Sequence, residues 1–295
     1  MRRNSVNGVL VLAASIVAMS AIPAPAQTDT PDLGNVRSTS GCPDDNPQQF
    51  YPCAVEKAKR AKPPRTADGK PDFQGLWGRN GRLLATNLTL PGNSPVVDPA
   101  ETIPYQPWAE AKKKELQAQY IDSVSRCMPH GVPRHFLAPE AYQIIQTPGY
   151  IAFLAEQAHI TRIVPLDGRP HVGPKSRSWM GDAVGHWEGN TLVIDTTNLN
   201  GLAVFAITMD FASDALHVVE RYTMLDANNI FLEVTMEDPT VFTRPWKMAW
   251  GRTRDPREAT GAELLEEACY EGNGRWMNGE IAAGRRVLSA PVRRP

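Results

Sequence analysis

The sequence predicts a mainly β protein, an antiparallel β-barrel or sandwich, on three observations. After Cys127 the chain breaks into short β-branched and aromatic runs, turn dipeptides such as Pro148-Gly149 separate those runs, and 26 prolines and 22 glycines among 295 residues interrupt long helices. Hydrophobic residues at 42% and charged residues at 21% are globular proportions, which excludes a wholly disordered or coiled-coil chain. Lys plus Arg number 31 against 32 for Asp plus Glu, so no strong field draws the chain to nucleic acid or to an anionic membrane.

Residues 1–26 read as a cleaved signal peptide. Arg2 and Arg3 form its positive start, Val9 to Met19 is small and apolar throughout, and Ala24-Pro25-Ala26 supplies small side chains at the cleavage site. The apolar run falls well short of the roughly 20 residues a spanning helix needs, and nothing later in the chain is longer. A periplasmic or secreted protein is therefore expected, with no membrane span once the leader is removed. An oxidising compartment favours disulfides, and Cys42, Cys53, Cys127 and Cys269 allow three complete pairings. The preferred one closes a local loop between Cys42 and Cys53 and ties Cys127 to Cys269.

Residues 27–72, rich in Pro, Asp, Ser, Thr and Lys, read as an extended arm with at most a helical turn at Ala54–Ala61, and residues 73–295 as one β-rich domain. Gly75-Leu76-Trp77 opens the globular part. The clearest helix spans Pro107–Val124, with Pro107 in its first turn and Trp108, Ala111, Leu116, Ala118, Tyr120 and Ile121 set among charged residues. Strand-like runs then follow at Tyr142–Thr147, Tyr150–Glu156, His159–Pro165, Thr191–Thr196, Leu216–Met224 and Ile230–Glu237. Pairing Leu225 with Ile230 across the turn places Glu220, Tyr222 and Glu233 on one face of the last hairpin. The same register puts His217 and Arg221 on the other face among Leu232, Val234 and Met236.

Three groups of residues carry potential chemistry. Glu220 and Glu233 on one face, with Tyr222 opposite Glu233, would split their pKa values in a dry cavity and so supply an acid and a base. His217 can move protons near neutral pH, while Arg221 can hold an anion; a salt bridge from Arg221 to Asp238 is the structural alternative. The segment Arg162–Asp195 adds Arg162, His171 and Trp187, with Gly185-His186-Trp187-Glu188 leading into a turn at a barrel mouth. No glycine-rich nucleotide loop, lysine-containing phosphate loop or Gly-x-Ser-x-Gly elbow occurs, so no organic cofactor is expected. His171, His186 and His217 match no compact ligand spacing, so no metal is expected either.

Several segments together resemble a large, mostly uncharacterised family of exported bacterial proteins. They are Asp68-Gly69-Lys70-Pro71-Asp72 leading to Gly75-Leu76-Trp77, Tyr105-Gln106-Pro107-Trp108, Gly131-Val132-Pro133-Arg134 and Gln146-Thr147-Pro148-Gly149. Further on come Asp167-Gly168-Arg169-Pro170-His171, the run from Trp187 to Thr196, and Leu216 to Arg221. The resemblance implies a β-rich, lipocalin-like fold and assigns no activity or catalytic residue. The combined expectation is an exported enzyme performing cofactor-independent acid–base chemistry, as a lyase, isomerase or hydrolase, on a small, partly apolar molecule in a barrel cavity. His217, Glu220 and Arg221 are its catalytic candidates, and Arg162, His171, Trp187, Tyr222 and Glu233 line its binding site. A periplasmic binding or carrier protein is the first alternative. An envelope scaffold using the arm and the Arg285–Pro295 tail is the second.

Overall fold

The computed structural model describes residues 37–79, 86–138 and 140–294; the expected signal peptide lies outside them. The fold is an antiparallel, nearly closed barrel. Its strands are β1 (Gly75–Arg79), β2 (Val96–Asp98), β3 (Tyr142–Gln146), β4 (Tyr150–Ala155), β5 (Thr161–Pro165), β6 (Asp182–Glu188), β7 (Thr191–Thr197), β8 (His217–Asp226), β9 (Asn229–Glu237) and β10 (Trp246–Arg254). They run in the order β5-β4-β3-β1-β10-β9-β8-β7-β6, with short β2 added against β10. The expected barrel, rather than the sandwich, is what the chain forms.

The barrel comes together where β5 meets β6. Gly185 permits that approach, because a Cβ there would stand 2.7 Å from Leu166 Cδ2 and 3.0 Å from Val164 Cγ1. The inward positions of the long strands are almost wholly apolar: Ile194 on β7, Val218, Tyr222 and Met224 on β8, Ile230, Leu232, Val234 and Met236 on β9, and Trp246, Met248 and Trp250 on β10 are all buried. Period-two alternation along each strand places these side chains on one surface, whose burial is the main stabilising term. Phe136 enters this core from a short 3-10 turn, Arg134–Phe136, and packs edge-on against Tyr142, Phe153 and Tyr222 at 5.0–5.3 Å between ring centroids.

The β8–β9 register corrects the hairpin reading. Glu220 pairs with Val234, Arg221 with Glu233 and Tyr222 with Leu232, and the register shifts by one between Met224 and Asp226. A bulge at the hairpin end inserts a residue, and a one-residue slip moves every side chain of one strand to the other face. Glu220 and Glu233 therefore stand on opposite faces. His217 and Arg221 share their face with Glu233, Thr235 and Glu237, not with Leu232, Val234 and Met236. With this register one face becomes apolar apart from Glu220, which removes the oddity of a hairpin with two mixed faces.

The expected arm contains a 12-residue helix, α1 (Pro47–Ala58), in its described part. Asn46 caps it by accepting from the Gln48 and Gln49 amides, and Pro47 fits the first turn. Phe50 and Ala54 pack on Leu225, Phe231 and Ala249 of the barrel's outer face, where the Cys42–Cys53 disulfide holds the segment. The second helix, α2, runs Pro107–Gln119 and stops five residues before the expected end. There Ile121 N–H donates to the Arg286 carbonyl and Arg286 N–H donates to the Gln119 carbonyl instead, and Asp122 caps a separate 3-10 turn, Ser123–Arg126. The sequence pattern does not predict the third helix, α3 (Cys269–Ala282); the Cys127–Cys269 disulfide fastens its start to that turn. Both disulfides follow the preferred pairing. Among the described residues no helix is long and apolar enough to cross a membrane.

Candidate functional site

The structure distributes the sequence-predicted residues over separate places. Glu220, Arg162 and Tyr222 lie inside the barrel. Arg162 Nη2 donates to Glu220 Oε2 at 2.5 Å and to Thr196 Oγ1 at 2.7 Å, and Tyr222 Oη donates to Glu220 Oε1 at 3.0 Å. Burial, then the Glu220 charge, pushes the Tyr222 phenol well above its ordinary pKa. The rings of Phe136, Phe153 and Tyr142 occupy the surrounding space, so this charge cluster is packed into the core.

His171 and His217 belong to the outer wall. Asp195 on β7 accepts from both, through Oδ1 to His171 Nε2 and Oδ2 to His217 Nε2, each at 2.9 Å. His171 Nδ1 meets Asp182 at 2.9 Å and His217 Nδ1 meets Glu237 at 3.5 Å, giving an alternating row of carboxylates and imidazoles across β6 to β9. The Asp195 hydrogen bond raises the His217 pKa, and the same bond lowers that of Asp195. Among the described residues no three His, Cys, Asp or Glu side chains are disposed to hold a metal ion.

Of the remaining candidates Arg221 and Glu233 are also on the outside, whereas Trp187 pairs with Leu192 and packs against the edge of the barrel core. Arg221 donates to Glu188 at 2.7 Å, and Asp238 instead accepts from the Ser213 amide. Trp187 stacks obliquely on Phe73. Glu233 accepts from Tyr51 at 2.8 Å and from Lys247 at 3.2 Å beneath α1. The proposed catalytic set His217, Glu220 and Arg221 therefore does not converge, because β8 sends Glu220 inward and its odd-numbered neighbours outward.

A cavity of about 680 Å³ is built elsewhere. Its walls come from the end of α2, the segment from Ile121 to Ala138, the loop Ile207–Met209, Gln157 and Glu267, and α3. Gly131 brings this wall in: at φ +71° it adopts the left-handed conformation, and a Cβ would stand 2.4 Å from that of Ala203. Arg134 is clamped by both oxygens of Asp122, at 2.5 and 2.9 Å, and also donates to the Val204 carbonyl at 3.1 Å. Burial and then the Arg134 charge push the His130 pKa down to about 3, so its imidazole is neutral at physiological pH. Ile207 and Trp276, 55% and 49% exposed, give the cavity an apolar mouth.

Behind this wall, outside the cavity lining, stands the Glu140 carboxyl. Burial raises the Glu140 pKa to about 7, with the charges of Glu267 and Glu156 adding to the shift and Arg252 opposing it. Glu267, in the cavity wall, accepts from the Ala158 amide at 2.6 Å. Sequence reasoning missed His130, Glu267 and Trp276 because they are far apart in the chain. The Cys127–Cys269 pairing was the usable signal, since it brings the start of α3 to the segment that holds His130.

The chain matches no protein-family model and no curated protein at a significant level.

Proposed function

We propose that the protein is exported, to the periplasm or the medium, and binds a small, partly apolar molecule in the cavity between α2, α3 and the Ile121–Ala138 segment. The cavity carries this reading: about 680 Å³ suits a small organic ligand, its mouth is apolar, and its Arg134 charge is already neutralised by Asp122. The two disulfides support export, and so does the resemblance of the chain to exported bacterial proteins. The test is native mass spectrometry of the protein recovered from its own export compartment, alongside an Ile207→Asp variant. A small organic molecule retained by the wild type and lost from the variant supports the reading. Failure of the wild type to retain or take up any small aromatic or aliphatic compound from a broad panel overturns it.

A further inference from the structure

We infer that the cavity selects an organic ammonium ion, with Glu267 as the counter-charge and Trp276 as the aromatic surface against which the rest of the ligand lies. This rests on the reading of the cavity as a small-molecule site and adds the ligand's chemical class.

Charge accounting along the wall supports it. Asp122 is spent on Arg134 in a two-point ion pair, and Arg285 reaches Glu280 at 3.3 Å while donating to the Gln117 and Tyr120 carbonyls. Glu267 differs from both. Its described hydrogen bond is from a backbone amide, Ala158 N–H, and its charge falls on the half-buried carboxyl of Glu140, whose Oε2 has no hydrogen-bond partner among the described residues. His130 is neutral and offsets none of this. The wall facing a ligand is thus negative, beside an indole that is half exposed at the same cavity. An ammonium group satisfies the carboxylate, and an aromatic face favours a cation in turn. A ligand carboxylate would meet repulsion from Glu267 and find Arg134 already engaged.

Glu140 reports on occupancy. Burial holds its proton on; of the charged groups facing it, Glu267 and Glu156 add to that effect and Arg252 opposes it. A cation on Glu267 removes part of that repulsion, lowers the Glu140 pKa and releases a fraction of a proton near neutral pH.

The experiment is isothermal titration of the full-length mature protein with 2-phenylethylammonium, 2-phenylethanol and 3-phenylpropanoate at neutral pH, repeated in buffers of different ionisation enthalpy. The ammonium ion is expected to bind roughly tenfold more tightly than the alcohol, with the carboxylate weakest and with proton release seen for the ammonium ion alone. Glu267→Gln should bring ammonium and alcohol to equal affinity and abolish the release. Equal or tighter binding of the alcohol or the carboxylate by the wild type overturns the ammonium assignment and leaves the cavity reading standing. Binding of none of the three overturns this assignment, and with an empty native spectrum it removes the cavity reading as well.

Discussion

Inside the barrel the Arg162 guanidinium donates to the Glu220 carboxylate at 2.5 Å, with neither side chain more than 2% exposed. Such a pair gains little over an apolar pair of the same volume, but removing one partner strands the other charge in the core. Glu220→Gln is therefore expected to lower stability by about 3–5 kcal/mol in urea denaturation. The double variant Arg162→Met with Glu220→Leu should recover most of that loss. A single-variant loss below about 1 kcal/mol would show that solvent reaches the pair.

The outer-wall row makes stability depend on pH in a defined window. His217 has a raised folded pKa, so its contribution is complete below its unfolded value of about 6.5 and is lost as pH rises through the folded value. Asp195 has a lowered folded pKa, so its contribution is complete above about 4 and is lost as pH falls through the folded value. The groups involved are Asp182, His171, Asp195, His217 and Glu237. The difference in melting temperature between wild type and His217→Asn should thus be largest between about pH 5 and 6 and shrink by about pH 8.5. A difference that grows with pH contradicts the arrangement.

The two disulfides close loops of very different length, with sequence separations of 11 and 142 residues. Chain-entropy arithmetic gives about 3 kcal/mol for the short loop and about 5 kcal/mol for the long one. Replacing Cys127 and Cys269 together by Ser should cost more than replacing Cys42 and Cys53, as read from denaturation midpoints. It should also speed amide exchange in α3, where Met277 is the one buried residue among the described side chains. If the short-loop variant is the less stable, the helix it anchors on Leu225, Phe231 and Ala249 outweighs loop entropy.

The strands were legible where one periodic signal acted alone. Tyr142–Gln146, Tyr150–Ala155 and Thr191–Thr197 fall where their β-branched and aromatic runs place them. β10 was not read, because an inward Arg252 and a glycine at 251 interrupt its apolar alternation; the arginine is accommodated by the carbonyls of Phe136, Ala138 and Glu140 and by the Tyr142 ring. The β8–β9 bulge left no trace, since Met224 and Leu225 are both apolar and either can point inward. α3 was hidden by its three glycines, at 272, 274 and 279, which oppose helix formation; the disulfide and the pairing at Arg286 hold it instead. The candidate site was the least legible part. Its walls depend on long-range closure, and a sequence records which residues exist more clearly than which face each one takes.

Gly185 offers the sharpest test of how the barrel closes. The β5 and β6 edges share no backbone ladder, so side-chain contact between Val164, Leu166 and the Gly185 backbone is what brings them together. Adding a single methyl at this glycine forces Leu166 Cδ2 and Val164 Cγ1 to retreat from 2.7 and 3.0 Å. Overpacking of this kind typically costs about 1–3 kcal/mol, and Gly185→Ala should lose that much in urea denaturation. Gly149→Ala is the matched control, because a Cβ there meets nothing within 4 Å. The loss should be accompanied by faster amide exchange along β6, whose remaining neighbour is β7 alone. Equal stability of the two variants would mean that β5 and β6 can separate freely, and that the barrel is held by its long strands β7 to β10.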